Sequence, residues 1–405
     1  MSFSLPLSSD EMRVALQRGL GRALLQARAF GVKRDRELVL ATCLRNPAHD
    51  PQCEVDRAHW MVEFLDKELA DEFLSRMGRT EGVSQAYYQS RLAFLLAKRG
   101  QPGAKEALYA QFSPVDYGAD LIGAKEVLEL DGATGMRNLL RRLRDFGGLE
   151  RIADWIEMLE YYFEAEHGKG SASTLIQDEF PQLTQFVQEV DLDGTGSAQR
   201  VVPATASVLR CIDGGGSCGI ELGYLGTLVD AGVASEVFER FRRPLTAAQL
   251  ARLLNFFART GFPDLDKHLV GYADHPSSTV RWWAVQALSN HEDSRVRELG
   301  LRCLRKRRWR ASEVSLLHKN YLPGDEVLLR ALLHQEDHRL ISDFRYLCEA
   351  HPRSELLEAM MFVYEASTCL NCRGAVIEVM RELKIFPDWA AEEHRYDALT
   401  FSSWN

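Results

Sequence analysis

Long apolar runs are missing from this sequence. No stretch approaches the ~18 consecutive apolar residues that a membrane-spanning helix requires, so the expectation is a chain with no membrane partner. The amino terminus, MSFSLPLSSDEMRVALQRG, has neither a basic leader nor an apolar core of the secretory kind, which predicts a cytoplasmic protein. Cysteine is scarce. Eight thiols (43, 53, 211, 218, 303, 348, 369 and 372) over 405 residues are too thinly spread for a disulfide framework and predict reduced, mostly buried side chains. Alternating strand patterns and Asn-Gly hairpin turns are absent, which argues against a β-rich fold. There is no GxSxG, HExxH or kinase signature and no nucleotide or cofactor fingerprint, so a non-catalytic protein without a cofactor is expected. Excess positive charge is lacking too. At a net charge of -9 the whole chain does not attract a polyanion, and any nucleic-acid contact must come from a local patch.

What is present is helix. The composition, 46% hydrophobic and 26% charged, is that of a folded chain with a sizeable core, enough for roughly two or three domains. In TVRWWAVQALSNHEDSRVRELGLRCLRKRRWR (279–310), Val280, Trp283, Ala284, Ala287 and Leu288 form one apolar stripe at helical spacing. Val296, Leu299, Cys303 and Leu304 form a second stripe, and NHEDS between them supplies turn and N-cap residues, so two helices joined by a tight turn are predicted. Similar stripes recur along the chain, from EMRVALQRGLGRALLQARAFG, GADLIGAKEVLEL and TGMRNLLRRLRDFG to SELLEAMMFVYEA and CRGAVIEVMRELKIF. RVVPATASVLRCIDGGG carries valines, but Pro203 and Gly214 bracket it as a short helix. Short helices in series hide their apolar stripes only against their neighbours, as in stacked helix pairs. Glycine-rich interruptions at HGKGSAS (167–173) and from DLDGTGS (191–197) to DGGGSCG (213–219) suggest an organisation into residues 1–166, a junction at 167–219, and residues 220–405.

ADHPSSTVRWWAVQALSN and DSRVRELGLRCLRK resemble HEAT-type repeats, in which an aspartate precedes Val-Arg and small residues and leucines follow; the resemblance covers about residues 265–310. It implies an all-α fold, a right-handed α-solenoid of stacked antiparallel helix pairs that holds partners. The two Val-Arg units lie 16 residues apart, one helix and not one repeat, so the second reads as the first helix of the next pair.

Between 281 and 310, nine basic residues face three acidic ones in an otherwise acidic chain. Arg281, Trp282, Arg295, Arg302, Arg305, Lys306, Arg307, Arg308, Trp309 and Arg310 are therefore the candidate partner-binding residues. A row of arginines beside Trp309 suits phosphates and a stacked base. The plainer reading is that basic residues offset a helix C-terminus and answer acids on adjacent helices. Glycine, asparagine and further aromatics are not interleaved here, which favours a protein with an acidic surface over nucleic acid as the partner. A pairing of inhibitor or immunity type in a bacterial setting, or a place in a larger assembly, is one such use. HEAT-like DNA glycosylases supply the nucleic-acid precedent, but their catalytic carboxylate matches no single position here.

Cys369-Leu-Asn-Cys372 opens a predicted helix, whose dipole favours thiolates. A thioredoxin-like site would need a βαβ context, which is absent, and a zinc site would need further ligands at suitable spacing; His351 and His394 are the distant histidines in view. Structural thiols, half a metal site and a redox pair all remain open. DLDGTGS opens like a calcium loop but has Val202 where a bidentate glutamate belongs. IDGGGSCGIELG lacks the lysine of a phosphate loop, and Pro51 breaks any helix that would align His49, Cys53 and His59 on a metal.

Overall fold

In the computed structural model of the protein, residues 3–48, 57–78, 82–114, 121–146, 149–180, 205–214, 222–305, 311–335 and 337–402 are described. Regular structure among them is almost all helical. The exception is a two-residue antiparallel ladder that pairs Ser113 with Ile122 and Pro114 with Leu121. The all-α expectation stands, and no helix among the described residues is long and apolar enough to cross a membrane. Contacts divide the chain into two units: Met1–Gly196 with Thr368–Leu370 and Pro387–Asn405, and Ser197–Ser367 with Asn371–Phe386. Residues from Pro387 onward thus belong with the amino-terminal unit, where sequence alone places them in the last block.

The first unit begins with a capped helix. The Ser8 hydroxyl accepts from the Glu11 N–H and the Glu11 carboxylate accepts from the Ser8 N–H, which fixes the start of Ser9–Arg18. Longer helices follow at Val83–Lys98, Ala124–Leu143 and Leu149–His167. GADLIGAKEVLEL and TGMRNLLRRLRDFG, expected as two helices, form two helical arms within Ala124–Leu143, divided at Gly132, whose φ of 52° lies in the left-handed region. Leu121 and Ile122 precede that helix as strand, because Gly123 turns the chain with φ 74° before Ala124 starts it. Trp60, Phe64, Phe73 and Phe94 are buried in the core, with the Trp60 and Phe64 rings edge to face at 4.9 Å.

A carboxy-terminal return completes this unit. Trp60 Nε1 donates to the Tyr396 carbonyl at 2.8 Å, and the Ala398 N–H donates to the Gly19 carbonyl at 2.9 Å. Arg22 grips the buried Glu393 carboxylate with Nε at 2.6 Å and a terminal nitrogen at 2.8 Å. Gly21 admits the approach: a Cβ there would lie 2.0 Å from the Glu393 carbonyl oxygen.

In the second unit the sequence stripes become packing rows. Ser278–Leu288 and Ser294–Arg305 form as helices, with Val280, Ala284, Ala287 and Leu288 buried on the first and Val296, Leu299 and Leu304 on the second. Each fully buried leucine or valine stabilises by about 1.5–3 kcal/mol, and truncating Leu288 to alanine removes about 2–5 kcal/mol. In one row Ala247–Phe256, Ser278–Leu288, Ala311–Leu317 and His338–Ala350 pack successively, each on the next. In the other, Lys267–Gly271, Ser294–Arg305 and Glu326–Leu329 do the same. Thr205–Asp213 is the helix expected between Pro203 and Gly214. Its Cys211 is disulfide-bonded, a correction to the expectation of reduced thiols, and the bonded partner lies outside the described residues. Cys43, Cys303, Cys348, Cys369 and Cys372 are not in disulfides.

Candidate functional site

The basic strip starts at the beginning of Ser278–Leu288. Arg281 reaches back to the preceding loop and donates to the carbonyls of His275 at 2.5 Å and Pro276 at 2.7 Å. Its charge therefore also stiffens the helix entry. Trp282, one residue on, is half-buried with its ring edge to face with Trp283 at 6.4 Å. The Arg339 guanidinium, from the first turn of His338–Ala350, lies 5.1 Å from the Trp282 ring centroid, within cation–π range. These residues, with Ser278, Thr279 and Glu313, line a groove of about 610 Å³, a size that suits a small ligand or a peptide side chain. Among the lining residues two arginines face one glutamate.

Further along, the arginines are answered within the fold. Arg295 meets Asp293 at 2.8 Å, Arg297 meets Asp325 at 2.5 Å, and Arg302 meets Asp274 at 2.7 Å. The hydrogen bond from Arg295 holds the Asp293 carboxyl down at about 2. Arg295, Arg302 and Arg305 are exposed. Exposed pairs contribute little to stability, so a partner can displace their aspartates at small cost. Lys306, Arg307, Arg308, Trp309 and Arg310 lie outside the described residues.

A second cluster forms around the CxxC sequence. Helix Leu357–Ala366 ends, the chain turns through Ser367, and Leu370–Glu382 begins, with Cys369 just before its first residue and Cys372 in its first turn. Arg373 pins that turn from within: fully buried, it donates from Nε to the Tyr364 carbonyl at 3.2 Å and from a terminal nitrogen to the Ser367 carbonyl at 2.8 Å. Cys372 Sγ lies 3.8 Å from His338 Nε2. His338 opens its own helix behind the N-cap of Asp337, whose carboxylate accepts from the N–H groups of Arg339 and Leu340. Two turns further, burial lowers the Arg345 pKa, but its hydrogen bond to Glu349 and nearby negative charge, Cys372 included, outweigh this and raise it. Burial pushes the thiols of Cys43 and Cys348 up, the latter to about 12, which leaves them inert.

The histidines weighed as partners for the CxxC pair are engaged elsewhere. His351 Nε2 faces the His318 carbonyl at 2.8 Å, and His394 Nδ1 faces the Asp397 carboxylate at 2.5 Å. His338 takes their place, and no spacing rule points to it because it stands 34 residues before Cys372. Arg339 and Glu313 enter the groove in the same unannounced way, from helices separated in sequence from Trp282. Of the other candidates, His49 and Cys53 and the DLDGTGS segment lie outside the described residues, as does IDGGGSCGIELG beyond Gly214 and before Leu222. HGKGSAS is described: Gly168 and Gly170 take φ of 90° and 83°, the turn that ends Leu149–His167. In comparison with known proteins, the chain matches no family model, no curated protein and no solved structure.

Proposed function

We propose that the chain is a non-catalytic binding module, a HEAT-like right-handed solenoid of helix pairs, that holds an acidic segment of another protein in the groove at Trp282. The observation that carries this reading is the cation–π pair of Arg339 and Trp282 beside Arg281. Arginine and tryptophan are the side chains that most often anchor interfaces. A guanidinium over an indole ring can still take a carboxylate in bidentate fashion, which lysine cannot do. Glu313 in the same lining disfavours a ligand that is anionic throughout, such as a nucleic-acid backbone. The pairing of Arg295, Arg297 and Arg302 with aspartates of the same fold supports the same preference, because those charges are already partly offset. Rows of helices packed each on the next support the solenoid, since they expose the ends and outer faces of many short helices to a partner.

The test is affinity capture from cells of the source organism with the full-length chain and with W282A and R339E, followed by mass spectrometry and by titration of the captured partner against salt. A protein retained by the parent chain and lost by both variants, with a shallow salt dependence, is the expected result. Equal retention by all three overturns the groove as the site. A steep linear fall of log affinity with log salt, with nucleic acid in the captured fraction, replaces the protein partner with a phosphate backbone.

A further inference from the structure

The thiols of Cys369 and Cys372 and the imidazole of His338 offer three ligand atoms that all lie within 4.8 Å of one another. Two features of the chain hold them there. Cys369 and Cys372 are three residues apart across one helix start, so their spacing is a property of a single continuous turn. The backbone of that turn is clamped by Arg373, whose bonds to the Tyr364 and Ser367 carbonyls leave it no freedom to open. His338 is fixed as the first residue of its helix, one position after the Asp337 cap.

We propose that His338, Cys369 and Cys372 bind one zinc ion. With zinc–sulfur bonds of about 2.3 Å and zinc–nitrogen bonds of about 2.0 Å, a tetrahedral site puts sulfur about 3.6 Å from nitrogen and about 3.8 Å from sulfur. The Cys372–His338 separation of 3.8 Å is already there. The other two separations, each within 4.8 Å, close by a side-chain rotation at a cysteine. Two thiolates with one imidazole select a borderline-soft dication over magnesium or calcium, and an iron–sulfur cluster would ask for four thiolates. Both cysteines are buried and the histidine is half-exposed, and three protein ligands leave a fourth coordination position for water. Binding displaces the two thiol protons to solvent and needs a neutral imidazole, so affinity falls as pH falls. Because the ion ties the first turn of His338–Ala350 to the first turn of Leu370–Glu382, its binding energy is also folding energy. The proposal is independent of the groove at Trp282.

The probes are zinc and cobalt(II) added to the full-length reduced protein. About one zinc per chain is expected to survive dialysis, and cobalt is expected to give an intense near-ultraviolet thiolate charge-transfer band with tetrahedral visible bands. C369S and C372S should lose the band, H338Q should weaken metal binding roughly tenfold or more, and C303S should leave both unchanged. Should a cysteine variant fail to fold, alkylation of the parent protein decides: zinc should shield two thiols and a chelator should expose them. An octahedral, aqua-type cobalt spectrum with no zinc retained and no thiol shielded overturns the site. So does a band equally lost in C303S.

Discussion

The strip at 281–305 and the corner formed by residues 318–367 with Arg373 belong to the same unit and are both rich in cationic and titratable side chains, yet they spend them differently. In the strip, Arg295 and Arg302 reach into water and meet single aspartates. In the corner, the polar side chains turn inward and meet main-chain carbonyls: Arg373 with Tyr364 and Ser367, His318 with Asp343 at 2.9 Å, His351 with His318 at 2.8 Å, and Asn320 with His291 at 2.8 Å. A carboxylate partner can be screened by salt, protonated or exchanged. A buried carbonyl can be none of these, so the corner fixes the fold while the strip stays available.

The sharpest way to test this difference is to remove an inward cation. R373A leaves the Tyr364 and Ser367 carbonyls without their donor and opens a hole where a fully buried side chain stood, so unfolding free energy should fall by about 3 kcal/mol or more in chemical denaturation. R373K should recover only part, because one ammonium cannot span both carbonyls. An effect as small as that of an exposed arginine would erase the distinction between the regions.

Acid is the next probe. Burial, with a smaller contribution from the His351 charge, depresses the His318 pKa to about 4, although its bond to the Asp343 carbonyl pulls the other way. A depressed folded-state pKa means that the unfolded chain binds the proton more tightly. Stability from this group is therefore complete above the ordinary histidine value near 6.5 and is lost as pH falls towards about 4. The loss is on the order of 3 kcal/mol, and H318N should flatten the slope of melting temperature between those two values. Burial pushes Asp343 well above the carboxylate range, an effect of opposite sign, so the H318N comparison and not the raw acid profile is the informative one. An unchanged slope would show that His318 does not titrate in isolation from the rest of the corner.

Smaller effects are expected in the strip. W282A takes away a half-buried ring and its cation–π contact with Arg339, for about 1 kcal/mol of stability in the same denaturation assay, while partner capture should be lost outright. Charge reversal of Arg295 and Arg302 together should change stability by about 0.5 kcal/mol and leave the helical circular dichroism spectrum intact. A collapse of melting on that reversal would make the strip structural and remove the case for its availability.

How far the sequence carries depends on how local each cause is. Val280, Ala284, Ala287 and Leu288 are legible as a buried stripe because the helical period places them on one face whatever lies opposite. Trp283 shares that stripe but stays half-exposed beside the groove, since what covers a face is decided by neighbouring helices and not by spacing. The ladder at Leu121 is not legible, because Leu121 and Ile122 fit the apolar spacing of the helix that follows, whereas the division at Gly132 is, since one apolar stripe stops and another starts across it. The candidate site divides in the same way. Arg281, Trp282 and the CxxC pair stand out by residue type, whereas His338 and Arg339 arrive through the packing of a helix that begins far along the chain. Distant partners of this kind leave no periodic trace.

The return of residues 387–402 onto the first unit sets an order of events during synthesis. Arg22 waits 371 positions for Glu393, and Trp60 has no Tyr396 carbonyl to meet until that stretch has left the ribosome. The second unit has emerged by then. Helices around Arg22 and Trp60 must stand with one side unsheltered until residues 387–402 have been made, and a nascent chain stalled before Pro387 would carry its damage more than three hundred residues upstream of the point of arrest.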